Sequence, residues 1–328
     1  MHRETLQDIG EKELINRLSK FMPKNQVVDD CALIEAKNAK LLVNNDSLVE
    51  NIHFNDLTIC PKDLGWKAVV SNISDLLSSG SKETIGITIS LILPAKTEWF
   101  WVEELYKGIN KALKKFGGII LGGDCSKGNQ KAISITAFGI QGELKLRRNA
   151  CKPGEIILTT GIHGLSKLGF MIQSNMNFDN DISINKRLIS KSIEHFCRPK
   201  VYPNFLKNLL KTRPNKKIKK IGCTDSSDGL FQAIQDLAIA SNCKAIINYK
   251  KIPKDKDWPK GDTWNEYYFF GGEDYELVFS LPKKWATNLT RLDKNINEIG
   301  YFTNGEPSIE FKDNKKNKLF NNTPFKHF

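Results

Sequence analysis

The chain has 328 residues, of which 40% are hydrophobic and 26% are charged, and its formal net charge is +12. This length accommodates two domains of ordinary size, and the composition is typical of a folded globular protein and excludes a disordered one. The first eight residues are mostly polar and lack the apolar core of a signal peptide, and no stretch approaches the roughly 18 apolar residues that a membrane helix needs. We therefore expect a cytoplasmic protein without a membrane segment.

Strand and helix patterns alternate along the chain. In the first half, apolar residues at helical spacing predict helices over 61–79 and 97–116. Strands are predicted there over 40–44, 84–93, 119–121 and 132–140. After the turn at 152–155, the predicted strands are 156–159, 219–223, 245–249, 275–281 and 296–300, and the predicted helices are 185–196, 203–210 and 228–240. The pattern predicts a mixed α/β fold with two domains, residues 1–149 and 150–328.

Neither the cysteines nor the lysines indicate a site. Seven cysteines are scattered without a CxxC pair, which favours reduced thiols over a disulfide framework or a zinc site. The positive charge is concentrated in two lysine-rich segments, 207–220 and 312–318. Aromatic residues do not alternate with these lysines as they would in a stacking surface for nucleic acid. A solvated surface is therefore the preferred interpretation, and a nucleic-acid partner is not expected.

Acidic residues repeatedly follow apolar runs. A carboxylate beside buried strand surface is costly unless its charge is compensated. Mg²⁺ is a suitable compensator because it prefers carboxylate, carbonyl and water oxygens and is usually shared with substrate phosphates. The pattern therefore predicts an acidic cage for several Mg²⁺ ions and a nucleotide. The acids concerned are Asp29, Asp30, Asp46, Asp124, Asp225, Asp228, Glu273 and Asp274.

Two acidic motifs involve predicted helices. Asp75 lies in mid-helix on a face of small side chains without Lys or Arg, which favours a ligand site over a solvent-facing surface. The segment Asp225-Ser226-Ser227-Asp228 opens a predicted helix. It is either an ordinary N-cap or a site where helix amides bind a Mg-phosphate group.

Three further motifs lie outside the helices. Gly122-Gly123-Asp124 lets backbone approach a phosphate, although Gly-Gly before Asp is often only a turn. The segment 271–277 packs three acids around a tyrosine, with a solvated loop as the alternative. His53 is either structural or part of a site. P-loop and protein-kinase motifs are absent from the sequence.

Taken together, these segments resemble the thiamine-monophosphate kinase family, within the aminoimidazole ribonucleotide synthetase superfamily. The resemblance runs from Leu6-Gln7-Asp8-Ile9-Gly10-Glu11 to Pro324-Phe325-Lys326-His327-Phe328. The motifs between these ends are Asp29-Asp30-Cys31-Ala32, Asn45-Asp46-Ser47-Leu48-Val49-Glu50-Asn51-Ile52-His53-Phe54, Asn72-Ile73-Ser74-Asp75-Leu76, Gly122-Gly123-Asp124, Ser227-Asp228-Gly229-Leu230 and Gly272-Glu273-Asp274-Tyr275-Glu276-Leu277. The resemblance implies direct, Mg²⁺-assisted transfer of the ATP γ-phosphoryl to thiamine monophosphate. It also implies a homodimer whose N-terminal domains form a shared β-barrel, each followed by a C-terminal α/β domain.

The resemblance also implies roles for particular residues. Metal positions fall on Asp30, Asn44, Asn45, Asp46, Asp75, Asp124, Asp225 and Asp228. ATP positions fall on Tyr106, Gly123, Asp124, Arg148 and Ser227, and substrate positions on His53, Glu273 and Phe325. Asp46, Asp75, Asp124 and Arg148 are the implied catalytic set, because phosphoryl transfer requires mainly positioning and charge neutralisation.

The sequence departs from the family pattern in three places. Val28 stands where a glycine usually precedes the paired aspartates, Asn44-Asn45 replaces Ser or Thr, and Cys125-Ser126-Lys127 replaces Thr-Thr-Arg. Amide oxygens still coordinate Mg²⁺, whereas lysine lacks the planar fork of arginine. Three alternatives stay open: a superfamily enzyme with another acceptor, an inactive nucleotide-binding regulator, and a basic nucleic-acid-binding protein.

Overall fold

The computed structural model describes residues 13–17, 29–36, 39–176 and 184–312. The motif that begins at Leu6, the departure at Val28 and the predicted substrate residue Phe325 lie outside the described residues. The described chain forms two β-sheets with helices packed against them, which confirms the predicted mixed α/β class. None of the described helices is long and apolar enough to cross a membrane.

The first sheet has five strands in the order β1-β2-β5-β3-β4. Its strands are β1 (Ala32–Ala36), β2 (Ala39–Val49), β3 (Ser81–Leu93), β4 (Ile119–Lys127) and β5 (Ala132–Gln141). All neighbouring pairs are antiparallel except β3 and β4, which are parallel. Because strand side chains alternate between faces, Ile133, Ile135 and Ala137 of β5 are buried on one face of the sheet.

Two helices cover the buried face of this sheet. They are α1 (Pro61–Ser78) and α2 (Trp99–Phe116). A Cβ atom on Gly65 would lie 2.1 Å from the Leu105 carbonyl oxygen, and one on Gly108 would lie 1.8 Å from that of Lys62. The two glycines therefore allow a close crossing of α1 and α2 that larger side chains would prevent.

The second sheet has seven strands in the order β12-β9-β11-β7-β10-β8-β6. Its strands are β6 (Lys145–Arg147), β7 (Ile156–Thr160), β8 (Lys220–Asp225), β9 (Lys244–Ile247), β10 (Leu277–Leu281), β11 (Ile296–Thr303) and β12 (Ser308–Phe311). The accompanying helices are α3 (Leu165–Gln173), α4 (Lys186–Cys197), α5 (Phe205–Thr212), α6 (Leu230–Ser241), α7 (Asp262–Phe270) and α8 (Lys283–Leu292). Short 3-10 turns cover Arg148–Ala150 and Tyr249–Lys251.

The two halves share a packed junction along α1. Phe196, Val201 and Tyr275 of the second half belong to the apolar core of the first. The indole Nε1 of Trp66 donates to the carbonyl oxygen of Pro199 at 2.7 Å. In addition, β6 pairs with β8, so the chain enters the second sheet a few residues before position 150. The division at 149/150 stays a prediction.

Several element boundaries differ from the predicted ones, and two differences affect the site. β2 continues to Val49 and β4 to Lys127, so Asp46 and Asp124 lie within strands and not at strand ends. The strands continue because their neighbours supply pairing partners, with Asp46 opposite Ile135 and Asp124 opposite Ser90. α6 begins at Leu230 rather than 228, and β10 at Leu277 rather than 275.

Candidate metal and nucleotide site

Three carboxylates from distant parts of the chain meet at the junction of the two halves. Asp30 precedes β1, Asp75 lies on α1 and Asp225 ends β8. One oxygen from each lies within 4.8 Å of the others. We call Asp30, Asp75 and Asp225 the three-acid cluster, and its spacing is suitable for shared binding of a cation.

Short polar side chains hold these carboxylates in place. On α1, Ser78 Oγ donates to Asp30 Oδ2 and Ser74 Oγ donates to Asp225 Oδ2, each at 2.6 Å. Asn44 Nδ2 donates to Asp75 Oδ2 at 2.9 Å. These three donors are neutral, so they orient the acids without neutralising their charge.

Burial and mutual repulsion both disfavour the charged forms of these acids. Burial, followed by the charges of Asp46, Asp225 and Asp30, raises the pKa of Asp75 well above its usual range. Burial and the charge of Asp30 raise the pKa of Asp225 to about 7, against hydrogen bonds from Ser74 and Ser227 and the charge of Arg148. The site thus favours an added cation.

Arg148 makes direct contact with the three-acid cluster. Its Nη2 forms an ion pair with Asp30 Oδ1, and its Nε donates to Thr224 Oγ1 at 3.2 Å. Its backbone N–H donates to Asp29 Oδ1 at 2.8 Å. The neighbouring Arg147, which the sequence did not indicate, pairs with Asp29 at 3.3 Å. One guanidinium against three carboxylates leaves the cluster with excess negative formal charge.

Asn44 provides a test of whether a metal ion fits. Its Nδ2 atom donates to Asp75 and to Asn72 Oδ1, whereas its Oδ1 atom is buried without a hydrogen-bond partner. A buried amide oxygen without a partner costs about 1–3 kcal/mol. It is also a ligand that Mg²⁺ accepts. The donor set around Asp75 therefore fits a hard divalent cation.

The open face of the first sheet carries another part of the predicted site. Asn45 Nδ2 donates to Thr136 Oγ1 at 2.9 Å, and the exposed Asp124 accepts from Ser126 Oγ at 3.0 Å. β5 and β3 separate β2 from β4, so Asp124 lies about 14 Å across the sheet from Asp46. Within one chain, the structure does not bring Asp124 to the three-acid cluster.

The remaining predicted nucleotide residues are also divided between two places. Ser227 Oγ donates to Asp225 Oδ1 at 3.1 Å, and the exposed Asp228 follows directly. Tyr106 lies on α2, where burial and the neighbouring Cys125 raise its pKa. A Cβ atom on Gly123 would lie 1.9 Å from the Ile89 carbonyl oxygen, so this glycine permits close strand pairing.

The predicted substrate residues that the structure describes lie on loops. His53 is half-buried, and its Nδ1 accepts the backbone N–H of Val49 at 3.0 Å. Glu273 forms an ion pair with Lys67 of α1, with Nζ 2.6 Å from Oε2. Sequence reasoning missed Lys67, although a lysine between Trp66 and Ala68 in a buried helix stretch is a detectable signal.

A well-defined cavity in the described part of the chain lies elsewhere. It has a volume of about 350 Å³ and is lined by residues that include Leu77 of α1, Lys82 of β3, Phe116 of α2 and Leu206 of α5. None of the predicted site residues lines it. Its lining lacks the carboxylate cluster that phosphate-bound metal requires, so cavity size does not locate the chemistry here.

Comparison with known proteins agrees with the resemblance in the sequence. Residues 28–141 match the family described as AIR synthase related protein, N-terminal domain. A thiamine-monophosphate kinase of Prochlorococcus marinus is 42% identical, over 99% of this chain and 98% of its own length. The chain belongs to the thiamine-monophosphate kinase family. A second member, from Synechococcus elongatus, is 30% identical over 100% of this chain and 99% of its own length.

Solved structures of the family have the same fold. AaThiL complexed with AMPPCP and TMP is 28% identical, with a TM-score of 0.84 and full coverage of both chains. A thiamine-monophosphate kinase from Aquifex aeolicus has a TM-score of 0.79, covering 94% of this chain and 98% of its own, at 26% identity. A hydrogenase maturation protein HypE in complex with ATP is 16% identical with a TM-score of 0.61, which shows a shared fold only.

Proposed function

We propose that this protein transfers the γ-phosphoryl group of ATP to thiamine monophosphate and so forms thiamine diphosphate. The observation that carries the proposal is the three-acid cluster beside the unpartnered Asn44 amide oxygen. Relatives named thiamine-monophosphate kinase match nearly the full chain, and a structural neighbour binds AMPPCP and TMP. We also infer a cytoplasmic location.

The residues that would hold Mg²⁺ are the oxygen donors that meet at the junction. They are Asp30, Asp75 and Asp225, with Asn44 through its unpartnered Oδ1 and Asp46, whose charge acts on Asp75. Bound Mg²⁺ would neutralise charge on the transferred phosphoryl oxygens. We propose that several ions share these acids and that Asp228 also contributes to binding them.

The chain's own groups supply the remaining charge and position. Arg148 is anchored by Asp30 and Thr224, which leaves its guanidinium fixed next to the cluster. A fixed cation stabilises charge that develops during phosphoryl transfer without reorganisation. The acceptor phosphate is already ionised at neutral pH, so the mechanism requires neither a strong general base nor a covalent intermediate.

The dimer part of the proposal concerns the open face of the first sheet. Ile92, Ile119 and Leu121 are 45%, 62% and 48% exposed, which is unusual for a group of large apolar side chains. The five described strands form an open sheet and do not close into a barrel. We propose that two copies pack these faces together into the shared barrel. In that arrangement Asp124, with Gly123 and Tyr106, completes the nucleotide site of the partner.

Mixing two inactive variants tests this shared site. If Asp124 acts on the partner's cluster, a heterodimer of Asp75→Asn and Asp124→Asn has one intact site and one doubly altered site. Random exchange should then restore roughly a quarter of wild-type turnover. No recovery from a mixture that demonstrably exchanges subunits would place Asp124 and Asp75 in the same chain's site.

One assay tests the activity itself. Purified protein is incubated with ATP, Mg²⁺ and thiamine monophosphate, and the thiamine phosphates are separated. Thiamine diphosphate should form only when all three are present, and free thiamine should be a poor acceptor. Efficient phosphorylation of free thiamine, or no product from the monophosphate, would overturn the proposal and favour another acceptor in the same superfamily.

A further inference from the structure

A buried lysine and a substrate-position glutamate connect the two halves of the chain. Lys67 lies on α1 and its side chain is only 2% exposed, whereas that of Glu273 is 32% exposed. Lys67 Nζ lies 2.6 Å from Glu273 Oε2 and 4.0 Å from the ring centroid of Phe196. A buried ammonium group is costly unless it is paired, so Glu273 is the feature that makes Lys67 tolerable at this position.

The backbone of Glu273 is fixed independently of Lys67. Its φ angle is +65°, a left-handed backbone conformation that residues other than glycine rarely adopt. Its N–H donates to the carbonyl oxygen of Ser227, and its own carbonyl oxygen accepts from Ser166 Oγ, both at 2.7 Å. Such strain costs of order 1–3 kcal/mol and persists only where the surroundings enforce it. The second half thus directs Glu273 towards α1, and Lys67 receives it.

The position of this ion pair relative to the three-acid cluster gives it a role. Lys67 and Asp75 are eight residues apart on α1, which corresponds to about 12 Å along the helix. The loop of Glu273 is connected to the same cluster, because the Glu273 N–H donates to the carbonyl oxygen of Ser227 and Ser227 Oγ donates to Asp225 Oδ1. An acceptor with its phosphate at the three-acid cluster would therefore extend its other end towards Glu273.

We propose that Lys67 is a positioning residue for acceptor recognition. It holds Oε2 of Glu273 and leaves Oε1, which accepts no hydrogen bond from the described residues, facing the acceptor. An amino group on a heteroaromatic ring is the chemistry that this carboxylate oxygen would recognise. The inference rests on the proposed function, because it takes the acceptor to be thiamine monophosphate.

The test separates acceptor binding from nucleotide binding. Lys67→Met removes the charge but keeps an unbranched side chain over Phe196. It should raise the KM for thiamine monophosphate about tenfold, because one charged hydrogen bond is lost. The KM for ATP and kcat should change less than about threefold, since uniform binding of only one substrate is weakened. Lys67→Arg should recover part of the lost acceptor binding.

A matched control uses a second ion pair that joins α1 to the second half. Arg198 Nε lies 2.5 Å from Asp63 Oδ1 on the same helix. Arg198→Met should leave the KM for thiamine monophosphate unchanged. If Lys67→Met and Arg198→Met raise the KM for thiamine monophosphate equally, Lys67 acts only by joining the two halves, and the inference is overturned.

The double variant Lys67→Met with Glu273→Gln protects the test against misfolding, because it leaves no buried charge unpaired. Its KM for thiamine monophosphate should be no higher than that of Glu273→Gln alone, since the lysine acts through the glutamate. Fully additive effects of the two substitutions overturn the inference. If the wild-type protein does not use thiamine monophosphate, both the proposed function and the inference are overturned. If the wild type is active and Lys67→Met has an unchanged KM for thiamine monophosphate, only the inference is overturned.

Discussion

Replacing Asp75 by asparagine should stabilise the metal-free protein. An oxygen of Asp75 lies within 4.8 Å of oxygens of Asp30 and Asp225. Two like charges at this distance repel by roughly 3 kcal/mol at an effective dielectric constant of 20, and by less than about 1 kcal/mol in bulk water. Asparagine keeps an oxygen that can accept the hydrogen bond from Asn44, so little is lost.

Arg148 and partial solvent access reduce the repulsion that Asp75→Asn relieves. After that reduction we expect a gain of roughly 1–3 kcal/mol in the free energy of unfolding. Each kcal/mol raises Tm by about 2–4 °C in a chain of 150–250 residues, and by somewhat less in this longer chain. Urea or thermal unfolding at pH 8 with EDTA measures this gain. Added Mg²⁺ should stabilise the wild type and have a much smaller effect on the variant, because ligand binding to the native state adds stability.

Asp63→Asn is the matched control, because Asp63 lies on the same helix but is paired with Arg198. It also lies in the first helical turn, where a carboxylate interacts favourably with the helix dipole. This substitution should therefore destabilise the protein by about 0.5–1 kcal/mol. If Asp75→Asn destabilises the metal-free protein to the same degree, hydrogen bonding outweighs repulsion in the three-acid cluster, and the electrostatic reasoning is wrong.

Three further results are expected. Asp124→Asn should lower turnover by about 10²-fold or more, because a charge that acts in the transition state is lost, while its Tm stays near that of the wild type; near-normal turnover would remove Asp124 from the site. Burial lowers the pKa of His163 to about 4. Between pH 6.5 and 4 the unfolded chain therefore binds a proton that the folded chain does not. As the pH falls through this range, the free energy of unfolding should decrease by up to about 3 kcal/mol. His163→Gln should flatten this part of the stability profile, and an unchanged slope would contradict the assignment. A thiol reagent should modify the exposed Cys60 and Cys125 well before the buried cysteines, and ATP with Mg²⁺ should protect Cys125, which follows Asp124; faster labelling of a buried cysteine would contradict the described packing.

The sequence predicted local features correctly where periodicity determines them. Helix spacing over 61–79 placed Asp75 on a small polar face, and the structure has a helix there that turns Ser74, Asp75 and Ser78 towards Asp30 and Asp225. The mixed α/β class followed from alternating strand and helix patterns. These features depend on residues a few positions apart, so a single sequence contains them.

Strand ends were predicted less well, since they depend on distant partners. The Gly-Gly-Asp segment looked like a turn after a strand, but pairing with β3 extends β4 through Asp124 to Lys127. Likewise, the start of α6 moves to Leu230 because Asp225 ends β8 and the following residues form the loop of the site. The sequence pattern does not show which neighbouring strand supplies the hydrogen bonds that extend a strand.

What the sequence determined by itself is the inventory of carboxylates and their local faces. Only the tertiary structure decided which of them meet. The strand order places β5 and β3 between Asp46 and Asp124, so that similar motifs lie on distant strands. The contact between Lys67 and Glu273 joins residues 206 positions apart. Such encounters are fixed by the packing of α1 between two sheets, where buried apolar area determines the arrangement and charged groups must find partners within it.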